Sequence, residues 1–304
     1  MKTRLIALAA ALTLTLSACG SDAEEKTDEG ATGESTEITG FDVSGIEKVD
    51  EIAAMLPESV TADGKLTIGT NAYYAPAEFY AEDGITMIGY DIDLANALGN
   101  VFGLEVAIEQ AEFASIIPSI GTNYEVGIAS FTITEERQQA VNMIQYYEAG
   151  LQWAVPAGNP NDFDPANVCG VVAGVQTGTS QDDYLIALNE NECKDNPVQI
   201  QRQDEQSRVT LALTSNQIDA MFADIQVIDY AVALSDGTME KVGDPIDVAP
   251  IGLAVAQDDA ATTDALIAAL QYLMDEGYLA DIFGAWGISD GVQSTAVLNP
   301  VSNA

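Results

Sequence analysis

Short apolar runs alternate with helical spacing along this chain, and they do so in two separate rounds. The first round has a strand at 65–69 and a helix after Gly89 with apolar positions Leu94, Ala97 and Leu98. A strand at 104–108, a short helix at 113–120 and a strand at 126–129 complete it. The second round has strands at 171–175, 199–201 and 218–222, with helices at 182–188, 205–214 and 226–234. This alternation predicts β-α-β units and an open, mostly parallel sheet in each round. The fold class is therefore α/β, with two β-α-β lobes. A strand at 246–255 returns toward the first lobe, and helices at 263–276 and 279–283 cover it. One lobe interrupted by another needs two crossing strands, near 151–156 and 248–255, and these would be hinges.

Ligands of open α/β sheets bind at the carboxyl ends of the strands. Two loops occupy such ends. One is rich in Tyr and Pro, at 70–79. The other is Ser130-Phe131-Thr132-Ile133-Thr134-Glu135-Glu136-Arg137, which follows the strand at 126–129 and opens a helical pattern at 135–144. Thr134 can cap that helix. Arg137 offers a planar fork that fits a carboxylate with two parallel hydrogen bonds. The plainer alternative is a surface Arg paired with one of many acids.

Composition narrows the partners. The chain has 304 residues, 10 Lys+Arg, 48 Asp+Glu, no His and a formal net charge of −38. So acidic a surface repels nucleic acid, and nucleic-acid binding is discarded. Without His, neither His-ligated metals nor His-based acid–base catalysis is open. No metal and no cofactor are expected.

Residues 1–18 read as a signal peptide, with Lys2 and Arg4 ahead of an apolar stretch at 5–16 too short to span a membrane. The stretch ends Leu16-Ser17-Ala18-Cys19, which resembles a bacterial lipobox, so Cys19 would be lipidated after cleavage. An ordinary secretory signal that contains a Cys is the alternative. Cleavage removes two cations and takes the charge from −38 to −40, so acyl chains rather than electrostatics would hold the protein on the membrane. Cys169 and Cys193 remain, and in an oxidising compartment they read as one disulfide; two buried free thiols are the alternative. Residues 19–63 read as the lipidated Cys and an acidic, flexible tether. A short extra helix is expected within 41–56. Lobe 1 takes 64–153 and 251–288, lobe 2 takes 154–250, and 289–304 reads as a loose tail.

Several spaced motifs together resemble the extracellular solute-binding proteins, family 3, of polar amino acid ABC importers. They are Ile68-Gly69-Thr70 with Tyr74-Ala75-Pro76; Gly89-Tyr90-Asp91-Ile92-Asp93-Leu94; and Phe113 with Ile116-Ile117-Pro118-Ser119-Ile120. The loop from Ser130 to Arg137, Gln176-Thr177-Gly178-Thr179-Ser180 and Phe222-Ala223-Asp224 follow in order. The resemblance spans residues 66–288. It implies a two-lobed periplasmic-binding-protein-like fold and a free amino acid held between the lobes. Arg137 would grip its α-carboxylate, with Thr132 and Ser180 adding donors. Asp224 would accept the α-ammonium, helped by Ser130. Tyr74 and Phe113 would flank the side chain, while Asp91 and Asp93 would belong to the helix N-terminus. Asn71 would lie in the site too, where members that prefer Lys or Arg often carry an acid. Arg202 or Lys241 could supply a second cation.

The expected role is that of an extracytoplasmic, lipid-anchored monomer that delivers an amino acid to ABC permease subunits and is not an enzyme. A secreted dehydratase-like enzyme on the same fold is one alternative, although no His or free Cys supplies its general base. A ligand-sensing subunit is another. For the anchor, Cys19→Ser should release the protein into the medium or leave it unprocessed. Membrane fractionation checks this, and a normally processed mutant that stays with the membrane overturns it.

Overall fold

A computed structural model describes residues 40–301. The signal peptide, Cys19 and the tether up to residue 39 lie outside the described residues. Gly40 begins a segment with a 3-10 turn at Val43–Gly45 and helices α1 (Asp50–Ala53) and α2 (Glu58–Thr61). Strands β1 (Lys65–Thr70), β2 (Tyr73–Tyr74), β3 (Glu78–Tyr80) and β4 (Met87–Ile88) follow, then α3 (Tyr90–Phe102), β5 (Glu105–Gln110), α4 (Phe113–Ser119), β6 (Val126–Thr132) and α5 (Glu135–Gln138). Next come β7 (Val141–Pro156), β8 (Val172–Gln176), α6 (Ser180–Glu190), β9 (Gln199–Gln203), α7 (Gln206–Thr214), β10 (Ala220–Asp224) and α8 (Ile225–Ala233). The chain closes with β11 (Met239–Ala256), α9 (Ala260–Asp275), α10 (Tyr278–Ala285) and β12 (Val297–Leu298).

One sheet of order β5-β1-β6-β11-β7-β10-β8-β9 runs through both lobes, with β12 beside β7, and β2-β3-β4 form a small second sheet. The pairs β5–β1–β6 and β10–β8–β9 are parallel, as the alternation predicts. Between them the long strands β7 and β11 pair antiparallel, and their ladder skips between Ile246–Leu151 and Ala249–Ala149. The first lobe's core packs α3, α9 and α10 on the sheet through Leu94, Leu98, Leu266, Leu270 and Phe283. The same cluster takes in Val209, Leu213, Met221 and Ile228 of the second lobe, and a separate cluster there has Trp153 stacked on Phe222 at 4.0 Å.

Gly150 sits at the skip. A Cβ there would meet Pro245 Cβ at 2.9 Å and Ile246 O at 3.3 Å, so only a residue without one lets the two strands approach this closely. Gly89 has a φ of 134°, and a Cβ on it would come within 2.0 Å of Ala77 O. It allows α3 to start against the Ala77–Glu78 backbone, where Asp91 N donates to Ala77 O at 2.9 Å.

Some expectations need correction. The flexible tether does not reach residue 63. Ile46, Leu56 and Val60 are buried in the main core, and Val49 N donates to Val101 O at 2.9 Å. The extra helix within 41–56 is only α1. Residues 289–301 are not a loose tail: β12 pairs with β7, Glu148 N donates to Gly291 O at 2.9 Å, and Met143 N donates to Asn299 at 2.8 Å. The helix read over 135–144 ends at Gln138, and β7 begins at Val141. Residues 143–147 of β7 are buried on both faces, which erases the period of two. The crossing strands are thus 16 and 18 residues long, far longer than 151–156 and 248–255.

Cys169 and Cys193 are joined by a disulfide with a sequence separation of 24, and it packs on the second lobe's core. It encloses β8 and α6. Removing a loop constraint of this size costs about 3 kcal/mol in the chain-entropy model. Thiol labelling of denatured, unreduced protein should find neither Cys169 nor Cys193 reactive; labelling of both refutes the bridge.

Candidate ligand-binding cleft

β6 delivers the first wall. Between the pairs Gly252–Phe131 and Ala254–Gly127 the β6–β11 ladder advances farther on β6 than on β11. The excess includes Ser130, whose φ of 46° places it in the left-handed region that costs a non-glycine residue roughly 1 kcal/mol or more. Asp91 holds it there: its carboxylate accepts Ser130 N at 2.8 Å and Ser130 Oγ at 3.0 Å. Tyr90 Oη lies 3.0 Å from the same Oγ. The strand then ends at Thr132, and Thr134 caps α5 by accepting Arg137 N at 3.2 Å.

Arg137 therefore sits one turn into a four-residue helix, and its side chain folds back over the strand end. Nη1 donates to Thr132 O at 2.7 Å and Nη2 to Gly178 O of the other lobe at 3.2 Å. The guanidinium carbon lies 5.5 Å from the Phe113 ring centre and 5.8 Å from that of Phe131. Among the described residues it is in no ion pair. Burial lowers its pKa, while Asp183, Asp224 and Glu136 pull the other way. The surface ion-pair reading of Arg137 does not hold.

The second lobe delivers the opposite wall. Thr179 caps α6, and Ser180 Oγ at the helix start lies 3.0 Å from Thr132 Oγ1 across the cleft. Asp224 ends β10 and stands at the N-cap of α8, yet its side chain makes no cap bond. It accepts Tyr74 Oη at 2.8 Å and Gln181 Nε2 at 2.7 Å instead. Burial pushes the Asp224 carboxyl up to about 6, against the Tyr74 and Gln181 hydrogen bonds and Arg137. It is therefore mostly ionised at neutral pH.

Tyr74, Phe113, Ser130, Thr132, Arg137, Ser180 and Asp224 line one cavity, together with Thr179 and Gln181. Its volume is about 10 Å3, room for one water. Asn71 is not among its walls. It accepts Gln176 Nε2 at 2.9 Å and donates to Ala111 O at 2.7 Å, which makes it a clasp between the lobes. Arg202 pairs with Asp182 at 2.8 Å and Lys241 pairs with Asp229, so neither accompanies Arg137. Asp91 and Asp93 do lie in the first turn of α3, but each also anchors distant chain. Asp93 accepts Phe41 N at 3.0 Å and Trp286 Nε1 at 2.7 Å. Sequence reasoning missed Gln181, although its place beside Ser180 in a helix first turn was a usable signal. It also missed the support that Asp91 gives Ser130.

The arrangement places a cation and an anion on facing walls of one cleft, each held by neutral groups. Comparison with known proteins agrees with this architecture. The profile of the bacterial extracellular solute-binding proteins, family 3, matches residues 66–289. The arginine-binding protein ArgT of Corynebacterium glutamicum is 34% identical over 256 residues, covering 83% of each chain. A solved ancestral arginine-binding protein bound to arginine is 30% identical with a TM-score of 0.68, over 73% of this chain and 98% of that one. The fold is also that of the ancestral amino acid-binding protein AncCDT-1, a precursor of cyclohexadienyl dehydratase. That structure has a TM-score of 0.68 at 24% identity, over 75% of this chain and 98% of that one. With its own profile matched across both lobes, the chain belongs to the bacterial extracellular solute-binding proteins of family 3.

Proposed function

We propose that this protein is the extracytoplasmic substrate-binding component of an amino acid ABC importer. It captures a free amino acid between its lobes and delivers it to membrane permease subunits while anchored through Cys19. One observation carries the reading: Arg137 and Asp224 are opposite charges that line the same cavity from different lobes without pairing with each other. A zwitterion complements both. Arg137 receives the α-carboxylate as a bidentate pair, with Thr132 and Ser180 as added donors. Asp224 and Ser130 receive the α-ammonium, and Tyr74 and Phe113 flank the side chain. L-arginine is the first candidate, because ArgT and the ancestral protein are named for it. The site offers carboxylates but no His or free thiol as a catalytic base, which supports binding rather than turnover.

The test begins with a thermal-shift screen of the twenty amino acids, since a ligand of the folded state raises its stability. Calorimetric titration with the best ligand follows. Truncating one partner of a buried charge pair costs roughly 2–5 kcal/mol, so Arg137→Ala should lose about 30- to 5000-fold in affinity. Arg137→Lys should recover only part, because a point charge does not reproduce the fork. Asp224→Asn should weaken amino acids severely and a ligand without the α-ammonium much less. Wild-type affinity in Arg137→Ala ends the proposal, and turnover of the bound amino acid favours the enzyme reading.

A cavity of about 10 Å3 does not hold an amino acid, so entry requires the lobes to part and the ligand to bridge them again. Small-angle scattering should show compaction on addition of saturating ligand. An unchanged radius of gyration contradicts hinge closure.

A further inference from the structure

Beneath Ser130 lies a pair of acids for which amino acid binding has no direct use. Glu78, on β3, is fully buried, and neither of its carboxyl oxygens meets a hydrogen-bond donor. It stands within side-chain hydrogen-bonding contact of Asp91, also buried. Asp91 already accepts Tyr146 Oη at 2.7 Å as well as the backbone and hydroxyl of Ser130. Two carboxylates are acceptors only, so they bond to each other only when one carries a proton.

The other titratable and polar groups acting on the pair come from five elements around it. They are Tyr74 on β2, Tyr90 on α3, Ser130 on β6, Tyr146 on β7 and Asp224 on β10. None is a cation. Two unpaired negative charges in contact in such a place cost far more than taking up one proton. Asp91 has three donors to stabilise a charge and Glu78 has none, so the proton resides on Glu78.

We propose that Glu78 is a positioning residue: as a neutral carboxylic acid it donates to Asp91, and the single charge left on Asp91 fixes the left-handed turn at Ser130 that carries the ligand loop. Only the step from Ser130 to a bound amino acid rests on the proposed function.

Burial and the neighbouring acids push the Glu78 carboxyl well above the usual glutamate range. In the unfolded chain it titrates near about 4.3. The folded state therefore binds one proton more, and this contribution to stability is lost as pH rises toward the folded value. Burial also pushes Asp91 and Asp224 up to about 6, so they have largely released their protons by pH ~7. Above the range in which Asp91 and Asp224 titrate, Glu78 is then the carboxyl that still holds its proton.

The test uses the mature chain without ligand. Glu78→Gln keeps a donor to Asp91 but takes up no proton. Denaturant unfolding of wild type and Glu78→Gln across this window should differ in slope by up to one proton, about tenfold in the folding equilibrium per pH unit. The wild type should also show the infrared carbonyl band of a protonated carboxylic acid, absent from Glu78→Gln. Neither readout needs a ligand, so their failure is separable from failure of the amino acid reading. An unchanged proton count, or no such band in wild type, overturns the proposal. For positioning, Glu78→Gln should bind the best amino acid within about twofold of wild type. Glu78→Met, which offers Asp91 no donor, should lose about tenfold or more, as for one bond to a charged group. Equal binding by wild type, Glu78→Gln and Glu78→Met refutes the positioning role. If Glu78→Met does not fold, proton count and infrared band decide.

Discussion

The antiparallel pairing of β7 with β11 is the interaction on which the rest depends. It is the ladder that continues through both lobes, and the sheet would fall into two without it. It also decides where the site lies. Thr132, the last residue of β6, is opposite Ile251, which is opposite Tyr147. Asp224, the last residue of β10, is opposite Leu151, which is opposite Ile246. Both flanking strands therefore end beside the skip in the central ladder, one from each side. Their carboxyl-end loops meet there because the register leaves them nowhere else to go. Around Gly150 the ladder is interrupted, with β11 residues 243–245 and 247–248 unpaired on either side of Ile246, and an interrupted ladder is a natural place for one lobe to rotate against the other.

Electrostatics adds a second constraint. Desolvation penalises every buried charge; Asp224 and Asp91 are buried, and Arg137 is partly so. A direct Arg137–Asp224 bond would relieve two of them at once. In this structure each instead has neutral partners, two backbone carbonyls for Arg137 and a Tyr and a Gln for Asp224. Each of these bonds has one charged partner, and a bidentate ion pair with two is stronger still. Each charge is thus stable where it stands and still gains from a better partner.

How legible this was varied with burial. The strands β1, β6, β8 and β10 and the helices between them could be read because one face of each helix stays in water and preserves its period. The residues of the cleft were legible through the resemblance of their motifs to a known family: Ser130, Thr132 and Asp224 lie toward the ends of strands, and Arg137 and Ser180 in the first turns of helices. The first half of β7 was not. Val141-Asn142-Met143-Ile144 is covered on both sides, and an apolar run without alternation fits a helix as well as a strand. Residues 40–63 and 289–301 looked polar and loose because a few anchors, among them Phe41, Ile46, Val60 and Asn299, do the docking for long stretches. Asn71 was misplaced because position beside a site does not say which way a side chain is engaged. Glu78 gave no signal at all: one acid near a turn is ordinary, and only its neighbours in space make it unusual.

The bonds across the cleft finally bear on affinity. Tyr74–Asp224, Thr132–Ser180, Arg137–Gly178 and Asn71–Gln176 each join the two lobes directly. A ligand does not meet free donors and acceptors, because it must displace some of these. What it gains is the difference between bonds, not their sum. Replacing a carbonyl with a carboxylate on Arg137, and a phenol with an ammonium on Asp224, exchanges bonds with one charged partner for ion pairs with two. Thr132–Ser180 and Asn71–Gln176 are neutral-to-neutral, so exchanging them brings little. Discrimination for the zwitterion should therefore reside in Arg137 and Asp224. The neutral pairs instead set how much of that gain is spent on reopening the lobes, since a ligand shifts the equilibrium only by its differential affinity for the two forms.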